Sequence, residues 1–195
     1  MNLLETIRNE ENKYITYKNL EKDEVLYREN DYCEVIGIVI SGELIITSTL
    51  ENGNTIIYND IKENETFGNN LIFSSYPYYR GDIIAVKDTK IALISKNNLI
   101  NLLTTNNNFL IEYLRIQSNF GKELNSRIKL LSINNIQDRF MYYLHINKDN
   151  ITYNTITDLA KQLNIERETL SRLISKLVKN DIIIKDNKTI KLIKR

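Results

Sequence analysis

Arg167, Glu168, Ser171, Arg172 and Ser175 stand close together in the run IERETLSRLISK, and their side chains carry the groups that read bases and phosphates. An arginine can donate two hydrogen bonds to O6 and N7 of a guanine, a glutamate can accept from the amino group of a cytosine, and serine or threonine hydroxyls suit phosphate or base. Rival chemistries lack their parts. The chain has no GxSxG elbow, no GxxxxGK[ST] phosphate loop and no cysteine–histidine pair in a supporting context, so no catalytic residue is assigned. Adjacent carboxylates such as Glu10 and Glu11 lie in a charged run and read as solvated. Cys33 is the single cysteine and His145 the single histidine, which disfavours an iron–sulfur cluster and any metal site built from several such ligands.

These side chains need a rigid support. Ile156, Leu159, Ala160 and Leu163 recur at helical spacing, as do Leu170, Leu173, Ile174 and Leu177 after a break at Asn164, giving two short amphipathic helices. Thr157 is placed to cap or open the first. Asparagine tolerates the left-handed backbone of a tight turn, which makes such a turn available at Asn164. An ordinary helical hairpin with a solvated charged face would show the same pattern, so the charge distribution matters. From residue 151 onward ten Lys or Arg stand against five Asp or Glu, a net of +5, which leaves 16 against 20, a net of −4, for residues 1–150. A basic module on a mildly acidic body is the footprint of a chain that touches a polyanion with one part only.

Along IERETLSRLISKLVKNDIIIKDNKTIKLIKR the chain resembles the winged-helix domain of the CRP/FNR family of bacterial transcription regulators. The family's recognition helix commonly carries Arg-Glu-Thr followed by a further Arg, and Arg167, Glu168, Thr169 and Arg172 stand at those positions. The resemblance implies that Arg167 and Arg172 read guanines, that Glu168 reads cytosine, and that each half of a palindromic site looks like TGTGA. Ser171 and Thr157 join the candidate DNA contacts. Residues 182–184, a turn at Asp186 and Asn187, and residues 189–193 read as a two-stranded wing. From it Lys188, Lys191, Lys194 and Arg195 would reach flanking phosphates.

Between residues 24 and 95 the pattern changes to short β-branched and aromatic runs, among them EVIGIVIS, GELIITSTL and KIALIS, which predicts an antiparallel sandwich or barrel. Gly42, Gly53, Gly68 and Gly81 fall between runs, where a positive φ is expected. The order of runs and the turn at Gly42, Glu43 and Leu44 resemble the family's cyclic-nucleotide-binding β-roll. Its phosphate-binding cassette corresponds to FGNNLIFSSYPYYRGDIIA and departs from the nucleotide pattern. Gly68 and Arg80 remain, but Asn69 or Asn70 replaces the glutamate that holds the ribose hydroxyl, Gly81 replaces the serine beside the phosphate, and Arg80 is shifted by one residue. An amide offers no charge-assisted acceptor bond, so cyclic AMP is disfavoured. Gly68, Asn69, Asn70, Tyr78, Tyr79 and Arg80, with Tyr76 beside them, form a candidate pocket for another small anion or an aromatic ligand. The alternative packs the tyrosines at an interface and pairs Arg80 with a carboxylate. Haem is disfavoured because His145 lies at a helix end in YYLHINKD, distant in sequence from this region. Cys33 reads as a small hydrophobe at a strand start.

Residues 108–131 read as one long helix. Leu110, Gln117, Leu124 and Leu131 recur every seven residues, with Tyr113 and Phe120 at the intermediate seam and Leu114 and Ile128 beside it, so one face wants a partner. Gly121, which costs a helix interior about 1 kcal/mol, suits a close approach of two helices, and in the family this helix forms a symmetric dimer. The expected architecture is therefore α+β. It comprises an N-terminal antiparallel, jelly-roll-like β-roll sensor over residues 1–107, a dimerisation helix and hinge over 108–134, and a winged helix-turn-helix over 135–195. The expected protein is a homodimeric DNA-binding regulator and not an enzyme. Its partners are duplex DNA, RNA polymerase and an unidentified effector or none. A β-roll ligand-binding module without a regulatory role, or an enzyme, are the alternatives. With 42% hydrophobic and 26% charged residues the composition is that of an ordinary folded protein. The start MNLLETIRNEENK is too acidic for a signal peptide and no apolar run is long enough to span a bilayer, so the cytoplasm is the expected location.

Overall fold

The computed structural model describes residues 3–193, apart from the side chain of Tyr58. The chain divides into two compact units, residues 1–119 and 120–195. In the first, strands β1 (Ile15–Leu20), β2 (Val25–Tyr27), β3 (Val35–Ser41), β4 (Glu43–Thr49), β5 (Thr55–Lys62), β6 (Thr66–Phe67), β7 (Asp82–Ala85) and β8 (Thr89–Ser95) precede helix α1 (Lys96–Thr105) and the start of α2 (Asn107–Leu131). They form two four-stranded sheets of order β1-β8-β3-β6 and β2-β7-β4-β5, with every pairing antiparallel.

Apolar runs in the central strands make the core of this unit. Ile36 and Ile38 of β3, Leu44 of β4, Ile83 of β7 and Ile91 and Ile94 of β8 are fully or almost fully buried, together with Leu99 of α1 and Phe109 of α2. Gly37 of β3 pairs with Phe67 of β6, and a Cβ at residue 37 would lie 1.9 Å from the Phe67 ring, so the missing side chain is what admits the ring. Gly42, Gly53 and Gly68 carry the positive φ expected of them. Gly81 does not, because the chain passes through it into β7 without a left-handed residue.

The amino-terminal segment is pinned by a carboxylate that its sequence made look solvated. Glu11 is only 3% exposed. Its carboxylate accepts from the Arg8 backbone at 2.9 Å, from Arg8 Nε at 3.0 Å and from Asn106 Nδ2 at 2.7 Å. Asn106 sits between α1 and α2. Its Oδ1 accepts from Phe109 N at 3.0 Å and its Nδ2 also donates to Thr6 O at 2.9 Å, so one side chain caps a helix and holds the chain start.

The second unit contains α3 (Ile136–Ile146), β9 (Asn150–Thr152), α4 (Ile156–Leu163), α5 (Arg167–Lys179), β10 (Ile183–Asp186) and β11 (Thr189–Leu192). Phe140, Leu144, Leu159, Leu163, Leu170, Ile174, Leu177, Ile183 and Ile190 form its core. The wing is three-stranded, of order β10-β11-β9, because Ile151 pairs with Ile190; two strands were expected. The expected boundaries at 107/108 and 134/135 also differ from the compact units. Phe109 and Tyr113 are buried in the core of the first unit and Leu130 in that of the second, so the two ends of α2 belong to different bodies. Among the described residues no helix is long and apolar enough to cross a membrane.

Burial alone would raise the Glu11 carboxyl, but the bonds from Arg8 and Asn106 more than offset this and hold it below the ordinary 4.5. A carboxylate lowered in the folded state contributes stability that is present above its unfolded value and lost as pH falls through the folded one. Below about pH 4.5 the thermal midpoint of the wild type should therefore fall more steeply than that of Glu11→Gln. Parallel curves would show that the carboxylate is not so held.

Candidate nucleic-acid interface and sensor region

The helix-turn-helix is set by two backbone devices. Thr155, not Thr157, caps α4: its Oγ1 accepts from Asp158 N at 3.1 Å and donates to Asp158 Oδ2 at 2.7 Å. Thr157 lies exposed in the first turn. Asn164 ends α4 at φ 50° and ψ 52°, the left-handed conformation expected of it, and Ile165 N donates to Ala160 O at 3.0 Å across the turn. Helix α5 begins three residues later. Its inner face buries Leu170, Ile174 and Leu177, which fixes the outer face.

On that outer face Arg167, Glu168, Ser171, Arg172 and Ser175 are exposed, while Thr169 is half-buried. Glu168, Arg172, Ser175 and Lys179 follow one another at helical spacing, so they form one stripe. No ion pair engages Arg167, Glu168 or Arg172 among the described residues. Arg172 Nε makes only a 3.4 Å bond to Glu168 O within the helix. Beside the stripe lies a groove of about 370 Å³, lined by Ile156, Ile174 and Val178 and by the polar Ser171, Ser175, Lys179 and Lys185. Sequence reading missed Lys179 and Lys185 as candidates, because only the packing of β10 against α5 brings them together. Lys188 is exposed at the wing turn, where Asn187 has φ 49°. Lys194 and Arg195 lie outside the described residues.

Arginines that sequence reading did not single out surround the turn. Arg139 of α3 donates from Nε to Ile133 O at 2.8 Å and from Nη1 to Leu163 O at 3.1 Å and Asn164 O at 3.0 Å. Arg127 donates to Gln162 O, and Tyr143 donates its hydroxyl to Gln162 Oε1 at 2.8 Å.

The cassette does not present the expected six residues to a ligand. Gly68 is required by the backbone: with φ 75°, a Cβ there would lie 2.5 Å from Val35 O. Asn69 is 8% exposed and committed to α2. Its Nδ2 donates to Gln117 Oε1 at 3.3 Å, while its backbone carbonyl accepts from Gln117 Nε2 at 2.8 Å and from the Tyr113 hydroxyl at 3.3 Å. Tyr79 is buried and stacked on Tyr27 with ring centroids 4.7 Å apart, and burial pushes its phenol well above the ordinary range. Asn70, Tyr78 and Arg80 are left toward the surface. There Tyr78 meets the edge of Tyr32 at 5.3 Å and the Arg80 guanidinium lies 4.8 Å over Tyr76.

The same bonds correct the seam of α2. Tyr113 is 5% exposed and faces its own sensor, so it does not belong to an outer interface. The outward stripe is Leu114, Gly121 and Ile128 alternating with Leu110, Leu124 and Leu131, in which Leu114, Leu124 and Ile128 are about half exposed and Leu110 is half-buried, whereas the Gln117 side chain is turned to Asn69. Phe120 is exposed beside it. A Cβ on Gly121 would meet nothing within 4 Å, so nothing in this chain requires glycine there.

Cys33 is fully buried, and burial pushes its thiol up. His145 is exposed in the last turn of α3, 3.4 Å from Asp149 Oδ1. Among the described residues no group of three or more His, Cys, Asp or Glu could hold a metal ion.

Comparison with known proteins bears on both units. Residues 17–106 match the cyclic nucleotide-binding domain family. The chain is 24% identical over 180 residues to the anaerobic regulatory protein of Bacillus subtilis (strain 168), covering 86% of this chain and 75% of that protein. Its fold is similar to that of a mutant CooA from Carboxydothermus hydrogenoformans, with a TM-score of 0.72 at 19% identity over 98% of this chain and 91% of the other. It is also similar to the catabolite activator protein of Thermus thermophilus, with a TM-score of 0.56 at 17% identity over 98% and 93%. The domain match stops at residue 106, while the likenesses in fold extend over 98% of the chain, so a match to the cyclic nucleotide-binding domain family stands here within a two-unit fold shared with these proteins.

Proposed function

We propose that this protein binds a palindromic DNA site as a homodimer and regulates transcription through it. The observation that carries this reading is the outer face of α5, where Arg167, Glu168 and Arg172 are exposed and, among the described residues, free of ion pairs on a helix whose opposite face is buried. Arg167 and Arg172 donate to guanines and Glu168 accepts from cytosine, which suits a half-site such as TGTGA. Thr157, Thr169 and Ser171 supply shorter contacts to base or phosphate. Lys179, Lys185 and Lys188 neutralise the backbone on either side.

The second chain seats on the α2 stripe that runs through Leu114, Gly121, Leu124 and Ile128. It brings the second α5 to the next major groove, one helical turn away. A signal at the β-roll acts by biasing the angle between the paired helices, and RNA polymerase is the downstream partner. Cyclic AMP is not that signal. The amide at the position of the ribose-binding carboxylate is spent on Gln117, and Arg80 lies over Tyr76. Haem and an iron–sulfur cluster lack ligands, with one histidine and one cysteine in the chain.

Arg172→Ala should lose about 1–3 kcal/mol on a selected site and relax preference at one base pair, read by fluorescence anisotropy. Lys185→Gln should instead weaken all duplexes alike and lower the salt slope by about one. An Arg172→Ala protein that keeps full affinity for the selected site would refute this docking. Sedimentation equilibrium should show a wild-type dimer and a weaker one for Gly121→Leu; an unchanged profile would place the seam elsewhere. In calorimetry, cyclic AMP should give no binding heat, and a saturable isotherm would overturn the assignment of Asn69.

A further inference from the structure

We infer that Arg139 is a positioning residue for DNA reading, tying the turn that launches α5 to the link that follows α2. This rests on α5 being the reading helix. The last carbonyls of a helix have no partner within it and carry partial negative charge, so they attract cations. At the end of α4 the chain leaves Leu163 and Asn164 with such carbonyls, and Asn164 stands in a left-handed conformation.

One guanidinium meets both. Arg139 bonds Leu163 O and Asn164 O from Nη1 and, from Nε, the carbonyl of Ile133 in the link between α2 and α3. It makes no ion pair among the described residues, so its half-buried charge is held by carbonyl oxygens. A planar fork with fixed donors joins three carbonyls at once, which an ammonium on a flexible stem does not reproduce. Arg127 completes the set on the Gln162 carbonyl, so the last three carbonyls leading into the turn are each held by an arginine. Helix α5 begins three residues beyond Asn164, and a shift of that turn displaces Arg167 and Glu168 directly. Arg139 touches no base in this arrangement. It acts through the position of the residues that do.

The test compares wild type, Arg139→Gln and Arg139→Lys in the full chain by hydrogen–deuterium exchange and by binding to a selected duplex and a scrambled one of equal length. Arg139→Gln should speed exchange in peptides covering residues 161–170 and leave the β-roll strands unchanged, which also reports that the variant is folded. Its preference for the selected duplex should fall about tenfold while affinity for the scrambled duplex and the salt slope stay the same. Arg139→Lys, keeping the charge without the fork, should fall between. Unchanged exchange at residues 161–170 would overturn the inference. So would equal weakening on both duplexes with a lower salt slope, since that marks a phosphate contact. A wild type that fails to discriminate the duplexes would sink the DNA-reading proposal alone, because exchange at the turn still decides the role of Arg139.

Discussion

The hydrogen bonds between Asn69 and the α2 residues Tyr113 and Gln117 are the constraint on which the first unit's hold on α2 depends. They key the first part of α2 to the β-roll. With Phe109 and Tyr113 turned into the β-roll, Leu114, one residue and so about 100° on from Tyr113, is left outside. Each bond contributes only about 1 kcal/mol net, and the buried aromatic side chains contribute more through the area they remove from water. The bonds nonetheless decide direction, because an apolar face alone slides more easily than one keyed by amides. The exposed stripe is the kind of apolar surface that soluble monomers rarely leave uncovered.

The second unit solves a different problem, since it holds charged side chains outward on a short helix with little core behind them. Its core supplies one side: Leu170, Ile174 and Leu177 anchor α5 against the rest of the unit. The turn supplies the other, with Asn164 in a conformation that most side chains avoid and the carbonyls before it held by arginines. An excess of five positive charges from residue 151 onward then favours a polyanion without specifying a sequence. On the proposed reading, discrimination comes from Arg167, Glu168 and Arg172, whose exposure follows from the burial opposite them.

Local signals carried much of this in the sequence, and the misreadings share one cause. The periodicities of α4 and α5, the asparagine turn and the alternation of the β-roll depend on neighbours within a few residues. Thr155 was equally legible, since Asp158 stands three places on, but Thr157 offers the same hydroxyl two residues later. Tyr113 is seven residues from Phe120 and fits an outer seam by spacing; only the cassette turn, 44 residues earlier, claims it for the core. Glu11 and Asn69 depart from expectation for the same reason, because polar side chains read as solvated or ligand-facing when their partners are distant in sequence. The strand β9 is three residues long and shows itself only through Ile190.

Whether two copies of this chain read one symmetric site is decided by selection of bound duplexes from a random DNA pool. A paired reader enriches a motif with two inverted half-sites whose centres lie about one helical turn apart. Enrichment of a single unpaired element, or none above a scrambled background, would contradict the pairing.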